Sequence, residues 1–412
     1  MLLFNNMRKI KILIITPKFP FPVRGACEQD RMSGLEIFIG LGYEIRVISK
    51  VISGKEKVVS DIGKNLGIKI YSVPYKFLED LSFLKKITRY FRKIINPLFW
   101  DGASYEYRDK EIINLLEYQL DNFKPDVVWF EYSYLWPLYK FVKKKNIPII
   151  TRSLNFEAIH FLEEMGFGFL NLIKFTSKFL GEIITIHKTD VLFSITPKEA
   201  KLYKKFGAKN TFVLPLRSLF KYLKLQPLQI KERKKFNVFF MGSTYNVPHN
   251  KKALEMIVKY IAPKIEKIMP GKFIFNILGT KLPKDLDIKS FSKNVIYRGY
   301  IEDIDEFLKN MDIALVPSLF GAGMQQKIFE PLCRGIPTIT SARGLAGYPF
   351  KDNKHLLLAS NDNEFVEKLI KIKNIKLRKL LSENSRNLCK SLFSESNTKA
   401  IISKSLDLVI KT

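Results

Sequence analysis

The stretch Asp312-Ile313-Ala314-Leu315-Val316-Pro317, then Ser318-Leu319-Phe320, then Gly321-Ala322-Gly323-Met324-Gln325-Gln326-Lys327-Ile328-Phe329-Glu330, decides the fold. A short apolar run closed by a proline predicts a buried strand, the glycines predict a tight loop, and Met324 to about Arg334 predicts a helix. Glycines let a backbone approach a ligand closely, and the free N–H groups and positive end of a helix favour phosphate. Lys327 falls in the first turn or so, where its ammonium can neutralise a diphosphate. Glu330 lies three residues on, along the same face, where a carboxylate can accept hydrogen bonds from both hydroxyls of a ribose. The plain alternative is a glycine-rich turn with a solvated lysine and glutamate. The strand-loop-helix context favours the ligand.

The same alternation extends in both directions. Upstream, apolar β-branched runs at Ile10–Thr16, Glu44–Val51, Ile68–Val73, Asp126–Phe130, Ile147–Thr151, Asp190–Thr196 and Thr211–Leu214 read as buried parallel strands between helices. A polar segment with Lys231-Glu232-Arg233-Lys234-Lys235 then breaks the pattern. A second series follows at Asn237–Gly242, Phe273–Gly279, Asn294–Gly299, Asp312–Pro317, Pro337–Thr340 and His355–Ala359, with a helix expected over Ala253–Ile268. We expect an α/β chain of two doubly wound, Rossmann-like domains facing a central cleft, at residues 7–216 and 236–395. A linker at 217–235 joins them, and a C-terminal helix at 396–412 is a candidate to pack back across the junction.

With 412 residues the chain suits two cores, and 46% apolar with 26% charged residues is ordinary for a globular protein. The formal charge of +29 is not ordinary and implies an anionic partner. Nucleic acid fits the charge, but no zinc-finger spacing, RNP-like motif or compact helix-turn-helix signal accompanies it, so none is expected. A nucleotide diphosphate and an anionic membrane surface are the stronger candidates. Cys27, Cys333 and Cys389 have neither ligand spacing nor a disulfide pattern, which suits a reducing compartment. No run is long enough to span a bilayer, so a cytoplasmic protein is expected, peripheral on the inner face of the membrane if it binds lipid. Met7, before Arg8-Lys9-Ile10, is a candidate start.

From Phe239 to Gly347 the chain resembles the retaining GT-B glycosyltransferases, the glycosyl transferases group 1. The resemblance rests on the order of its segments. These are Phe239-Phe240-Met241-Gly242-Ser243 with Pro248-His249-Asn250, Ile277-Leu278-Gly279, Val295 to Tyr300, Ala314 to Pro317, Gly321 to Glu330, and Gly335-Ile336-Pro337-Thr338-Ile339. The N-terminal half is similar to them at Ile12 to Pro17 with Pro22 and Gly25, at Arg31, and at Gly42-Tyr43-Glu44-Ile45. The resemblance implies a metal-independent hexosyltransferase that uses a nucleoside diphosphate sugar, a UDP-sugar above others, and no cofactor. It implies a lipid-linked or glycan acceptor in polysaccharide biosynthesis. It places Glu330 on the donor ribose and Lys327 on the diphosphate as the catalytic residue, among Gly321, Ala322, Gly323 and Met324. Arg298 and Gly299 would lie beside the base, and Gly25 would face the diphosphate.

Three departures qualify the resemblance. Ala322 stands where many relatives carry a glutamate eight before Glu330, Gln325 stands where variants with a glycine-rich loop carry arginine, and Leu154 replaces histidine in Arg152-Ser153-Leu154-Asn155-Phe156-Glu157. His160, six residues later, is more readily a surface or packed residue than a substitute. The alternatives are therefore a weak or inactive nucleotide-sugar-binding partner protein, or a nucleotide-sugar epimerase of the same fold. Asp285-Leu286-Asp287 and Asp303-Ile304-Asp305 match the short acidic pattern of metal-dependent transferases, but their settings predict solvated or capping acids. Two basic amphipathic stretches, Phe83 to Ile95 and Phe167 to Leu180, fit either a lipid interface or ordinary core-facing helices.

Overall fold

The computed structural model describes residues 8–75, 82–321 and 323–410, so the candidate start Met7 and the donor-loop residue Ala322 lie outside the described residues. The chain divides into two compact units, Met1–Arg217 with Thr398–Thr412, and Ser218–Asn397.

In the first unit seven parallel strands are ordered β3-β2-β1-β4-β5-β6-β7. They are β1 Lys11–Lys18, β2 Glu44–Val51, β3 Lys69–Pro74, β4 Val127–Glu131, β5 Ile149–Ser153, β6 Val191–Ser194 and β7 Thr211–Val213. Every residue of β4, β5 and β6 is buried, which is why these strands read as continuous rather than alternating apolar runs. Leu13, Ile15, Val128 and Phe130 pack with Leu116, Leu120 and Leu135. Phe156, Ile186, Leu192 and Tyr203 form a separate cluster. Ile402 and Leu406 of the last helix, Glu395–Asp407, are buried, and the Tyr43 hydroxyl lies 3.4 Å from the Ser403 hydroxyl.

In the second unit six parallel strands are ordered β10-β9-β8-β11-β12-β13. They are β8 Phe236–Thr244, β9 Phe273–Thr280, β10 Val295–Gly299, β11 Ile313–Val316, β12 Thr338–Thr340 and β13 Leu357–Leu358. Phe239, Leu278, Leu308, Ala314 and Ile336 are buried together. Two local details differ from the sequence expectation. The helix expected over Ala253–Ile268 begins at Pro248 and contains a π turn, Met256–Ile261, just before Pro263. Proline has no N–H to continue an α-helical ladder, and one wide turn absorbs the defect. The polar stretch after Arg217 contains a short helix, Leu219–Lys224, whose Leu219 and Phe220 are buried.

Both sheets start in the middle, run outward to one edge, and return to grow the other way. The order reverses between β1 and β4 in the first sheet and between β8 and β11 in the second. Open parallel sheets bind ligands beyond the strand carboxyl ends at such reversal points.

At the first reversal, two arginines and two carboxylates pair with one another. Arg152, from the end of β5, makes a two-pronged pair with Asp30 at 2.7 and 3.0 Å. Arg217 binds Asp30 at 2.9 Å and Glu131 at 2.7 and 2.9 Å. All four side chains are buried. The arginines hold the Asp30 carboxyl below its ordinary range although burial alone would raise it. Leu154, in the position of the family's histidine, is buried, and His160 pairs with Glu164 at 3.6 Å.

Candidate donor site

At the second reversal, the loops after β8 and β11 meet. Gly321 has φ +89° and Gly323 φ +72°, a backbone that side-chained residues adopt at a cost. Space matters as well as φ: a Cβ on Gly321 would lie 3.3 Å from the His249 ring. The helix starts at Gln326, two residues later than expected, so Lys327 sits in its first turn.

The surroundings of Lys327 are unusual. Its ammonium donates to Asn250 Oδ1 at 2.5 Å and lies 5.4 Å from the centre of the Phe240 ring. No carboxylate pairs with it among the described residues. The Asn250 amide is fixed by its other end, whose NH2 donates to the carbonyls of Gly242 at 2.5 Å and Thr244 at 2.9 Å. A neutral oxygen thus holds the cation in a partly dry place. Burial pushes the Lys327 ammonium down to about 7.

Glu330 is buried one turn further on. Its Oε1 accepts from Arg334 Nε at 3.1 Å and Nη2 at 2.9 Å, and its Oε2 from Gln326 Nε2 at 3.0 Å. Gln326 Nε2 also reaches the Tyr222 hydroxyl at 2.7 Å, and the Tyr222 ring lies 4.7 Å from the Arg334 guanidinium. Met324 is buried. Gln325 turns its amide back to the Phe320 carbonyl at 3.4 Å. Arg343, beyond β12, donates from Nε to the Gly321 carbonyl at 3.0 Å, which brings an exposed guanidinium to the glycine loop.

Of the residues singled out from sequence, Gly321, Gly323, Met324, Lys327 and Glu330 therefore share one loop and helix. Arg298 and Gly299 end β10, three strands from β11, roughly 14 Å away at the usual spacing. Arg298 donates to Asn276 Oδ1 at 3.0 Å. Gly25 belongs to the first unit, where its N–H donates to the Glu28 carboxylate at 3.1 Å. Asn250, His249 and Arg343 carry no assigned role in the sequence reading. The Pro248-His249-Asn250 segment was visible as a motif; its contact with the β11 loop depends on strand order.

The acidic pairs are engaged elsewhere. Asp285 binds Lys251 at 2.8 Å, Asp303 caps a helix through the Glu306 N–H at 2.9 Å, and Asp305 binds Arg334 at 2.5 Å. Among the described residues no group of three or more His, Cys, Asp or Glu side chains is arranged to hold a metal ion.

Residues 235–374 match the family model described as Glycosyl transferases group 1. No curated protein matches the chain by sequence. Solved structures match it in fold. The sucrose-phosphate synthase of Thermosynechococcus elongatus aligns with a TM-score of 0.69 at 12% identity, over 96% of this chain and 98% of that one. TarM of S. aureus aligns at 0.70 and 13% identity, over 98% and 99%. The Anabaena protein HepE, solved in complex with UDP, aligns at 0.64 and 11% identity, over 96% and 99%. The fold is α/β and of the GT-B type. Together with the group 1 match across the second unit, it supports a GT-B glycosyltransferase.

Proposed function

We propose that the chain moves a sugar from a nucleoside diphosphate sugar, preferably a UDP-sugar, to a lipid-linked or glycan acceptor in surface polysaccharide synthesis. The observation that carries this reading is the Lys327 ammonium, partly buried without a carboxylate at a helix start behind a glycine loop. An unpaired cation in such a place is costly unless an anion arrives. A diphosphate supplies that anion, and HepE's complex with UDP supports uridine as its base.

In this reading Lys327 and Arg343 neutralise the diphosphate, with Arg343 supplying the charge that Gln325 lacks and no metal ion taking part. Glu330 exchanges its Gln326 bond for a ribose hydroxyl, while Gln326 keeps Tyr222. Arg298 and Gly299 lie at the base end. Transfer then proceeds with retention: the acceptor oxygen bonds to the anomeric carbon on the face from which the phosphate leaves. The anomeric carbon–oxygen bond breaks, and the leaving phosphate oxygen takes the acceptor proton. Positioning and stabilisation of charge on the leaving group supply the catalysis.

A thermal-shift screen of nucleotides tests the donor site. A nucleoside diphosphate is expected to stabilise the wild type and to stabilise Glu330→Ala less; if none stabilises the wild type, the donor reading fails. Leu154 and the turned-back Gln325 favour one second reading, donor binding without turnover. Hydrolysis or transfer from a nucleotide-sugar panel in the presence of a chelator decides between them, since sugar release there requires an active, metal-independent enzyme.

A further inference from the structure

We infer that the helix Phe83–Ile95 and the turn after the helix Glu157–Met165 dock the first unit on an anionic lipid bilayer. The inference is independent of the donor site. The helix reads Phe-Leu-Lys-Lys-Ile-Thr-Arg-Tyr-Phe-Arg-Lys-Ile-Ile. At about 100° per residue, positions 83, 84, 87, 90, 91, 94 and 95 fall within an arc of about 140°. Lys86 and Arg92 occupy the opposite side and are exposed.

Such a helix in a globular protein ordinarily buries its apolar arc on the core. Here every side chain described on it is exposed, with Phe83 at 76%, Phe91 at 59% and Ile95 at 80%. The second segment shows the same feature. Phe167 is 79% and Phe169 78% exposed, although the turn is built firmly, with Asn171 Nδ2 donating to the carbonyls of Met165 at 2.9 Å and Gly166 at 3.2 Å. The two segments share one joint. The Ser177 hydroxyl, on the helix that starts at Phe169, donates to the Leu98 carbonyl at 2.9 Å and accepts from the Asp101 N–H at 3.0 Å, just beyond Ile95.

Charge selects the occupant. A second copy would bring two strongly basic helices together, and a nucleic acid would cover the cations but leave the aromatic arc in water. Anionic headgroups above hydrocarbon satisfy both sides of the helix at once.

Vesicle flotation tests this with intact protein at low salt. The wild type is expected to float with vesicles containing phosphatidylglycerol and not with phosphatidylcholine alone. Binding should fall about tenfold or more in the double variant Phe91→Glu/Ile95→Glu, and also in Phe167→Ser/Phe169→Ser, while melting temperature and UDP-induced stabilisation stay at wild-type values. Failure of the wild type to float overturns the inference. So does equal flotation of the apolar variants, which would show diffuse attraction by net charge. A wild-type dimer that the Phe91→Glu/Ile95→Glu change dissociates would assign the face to a second copy instead.

Discussion

The reversal points of the two sheets are built from the same topology and treat charge in opposite ways. Between β1 and β4, two arginines and two carboxylates close on each other, and beside them Arg31 donates to the Thr16 hydroxyl and the Lys18 carbonyl. Between β8 and β11, one lysine meets only a neutral amide and an aromatic face. Topology marks where a ligand can bind in each unit; the proposed donor site is the reversal whose lysine has a neutral amide as its hydrogen-bond partner.

The largest effect is expected from disturbing the balanced reversal. Arg152→Ala leaves Asp30 buried with half of its partners and is expected to cost about 3–5 kcal/mol of folding stability, read by denaturant unfolding. UDP affinity of the folded fraction should not change. Asn250→Asp does the reverse at the second sheet: it gives Lys327 a carboxylate and makes that reversal resemble the first. Calorimetry is expected to show UDP binding weakened by about 1.5–3 kcal/mol, the value of a hydrogen bond to a charged group, and melting temperature is expected to fall as well, because the Gly242 and Thr244 carbonyls lose the amide donor they share. A smaller change follows Gly321→Ala, because φ +89° and the His249 ring both resist a Cβ. About 1–2 kcal/mol of strain in the loop should appear as weaker UDP binding with only a slight shift in melting temperature.

Much of this was legible in the chain. Among the described residues the strands fall where short apolar runs were picked out, most plainly at β1, β4 and β6, because a parallel strand covered on both faces needs such a run. The Gly321–Glu330 segment was legible as a glycine loop leading into a helix. Arg343 and Asn250 were not legible as site residues, since their approach to the loop follows from which strands are neighbours. Nor did Arg152 show its structural task, because Asp30 and Arg217 lie 122 and 65 residues from it along the chain. The amphipathic pattern of Phe83–Ile95 was plain, but the same pattern serves a core or a membrane, and only exposure separates them. The extra π turn before Pro263 and the helix Leu219–Lys224 were missed because local composition favoured simpler readings.

The Lys327 ammonium gives the account its most direct test. Burial puts its proton loss near pH 7, whereas an unfolded chain keeps that proton up to the ordinary lysine value of 10.5. Folding without ligand therefore gains stability as pH rises through that window, and an arriving diphosphate must draw a proton back. Calorimetric titration of UDP near pH 8, in buffers of different ionisation enthalpy, measures that uptake. The account predicts that wild-type protein takes up a proton fraction on binding, that its affinity falls as pH rises above 7, and that Lys327→Ala shows neither effect. Tight UDP binding with no proton uptake, or with the same uptake in Lys327→Ala, would contradict it.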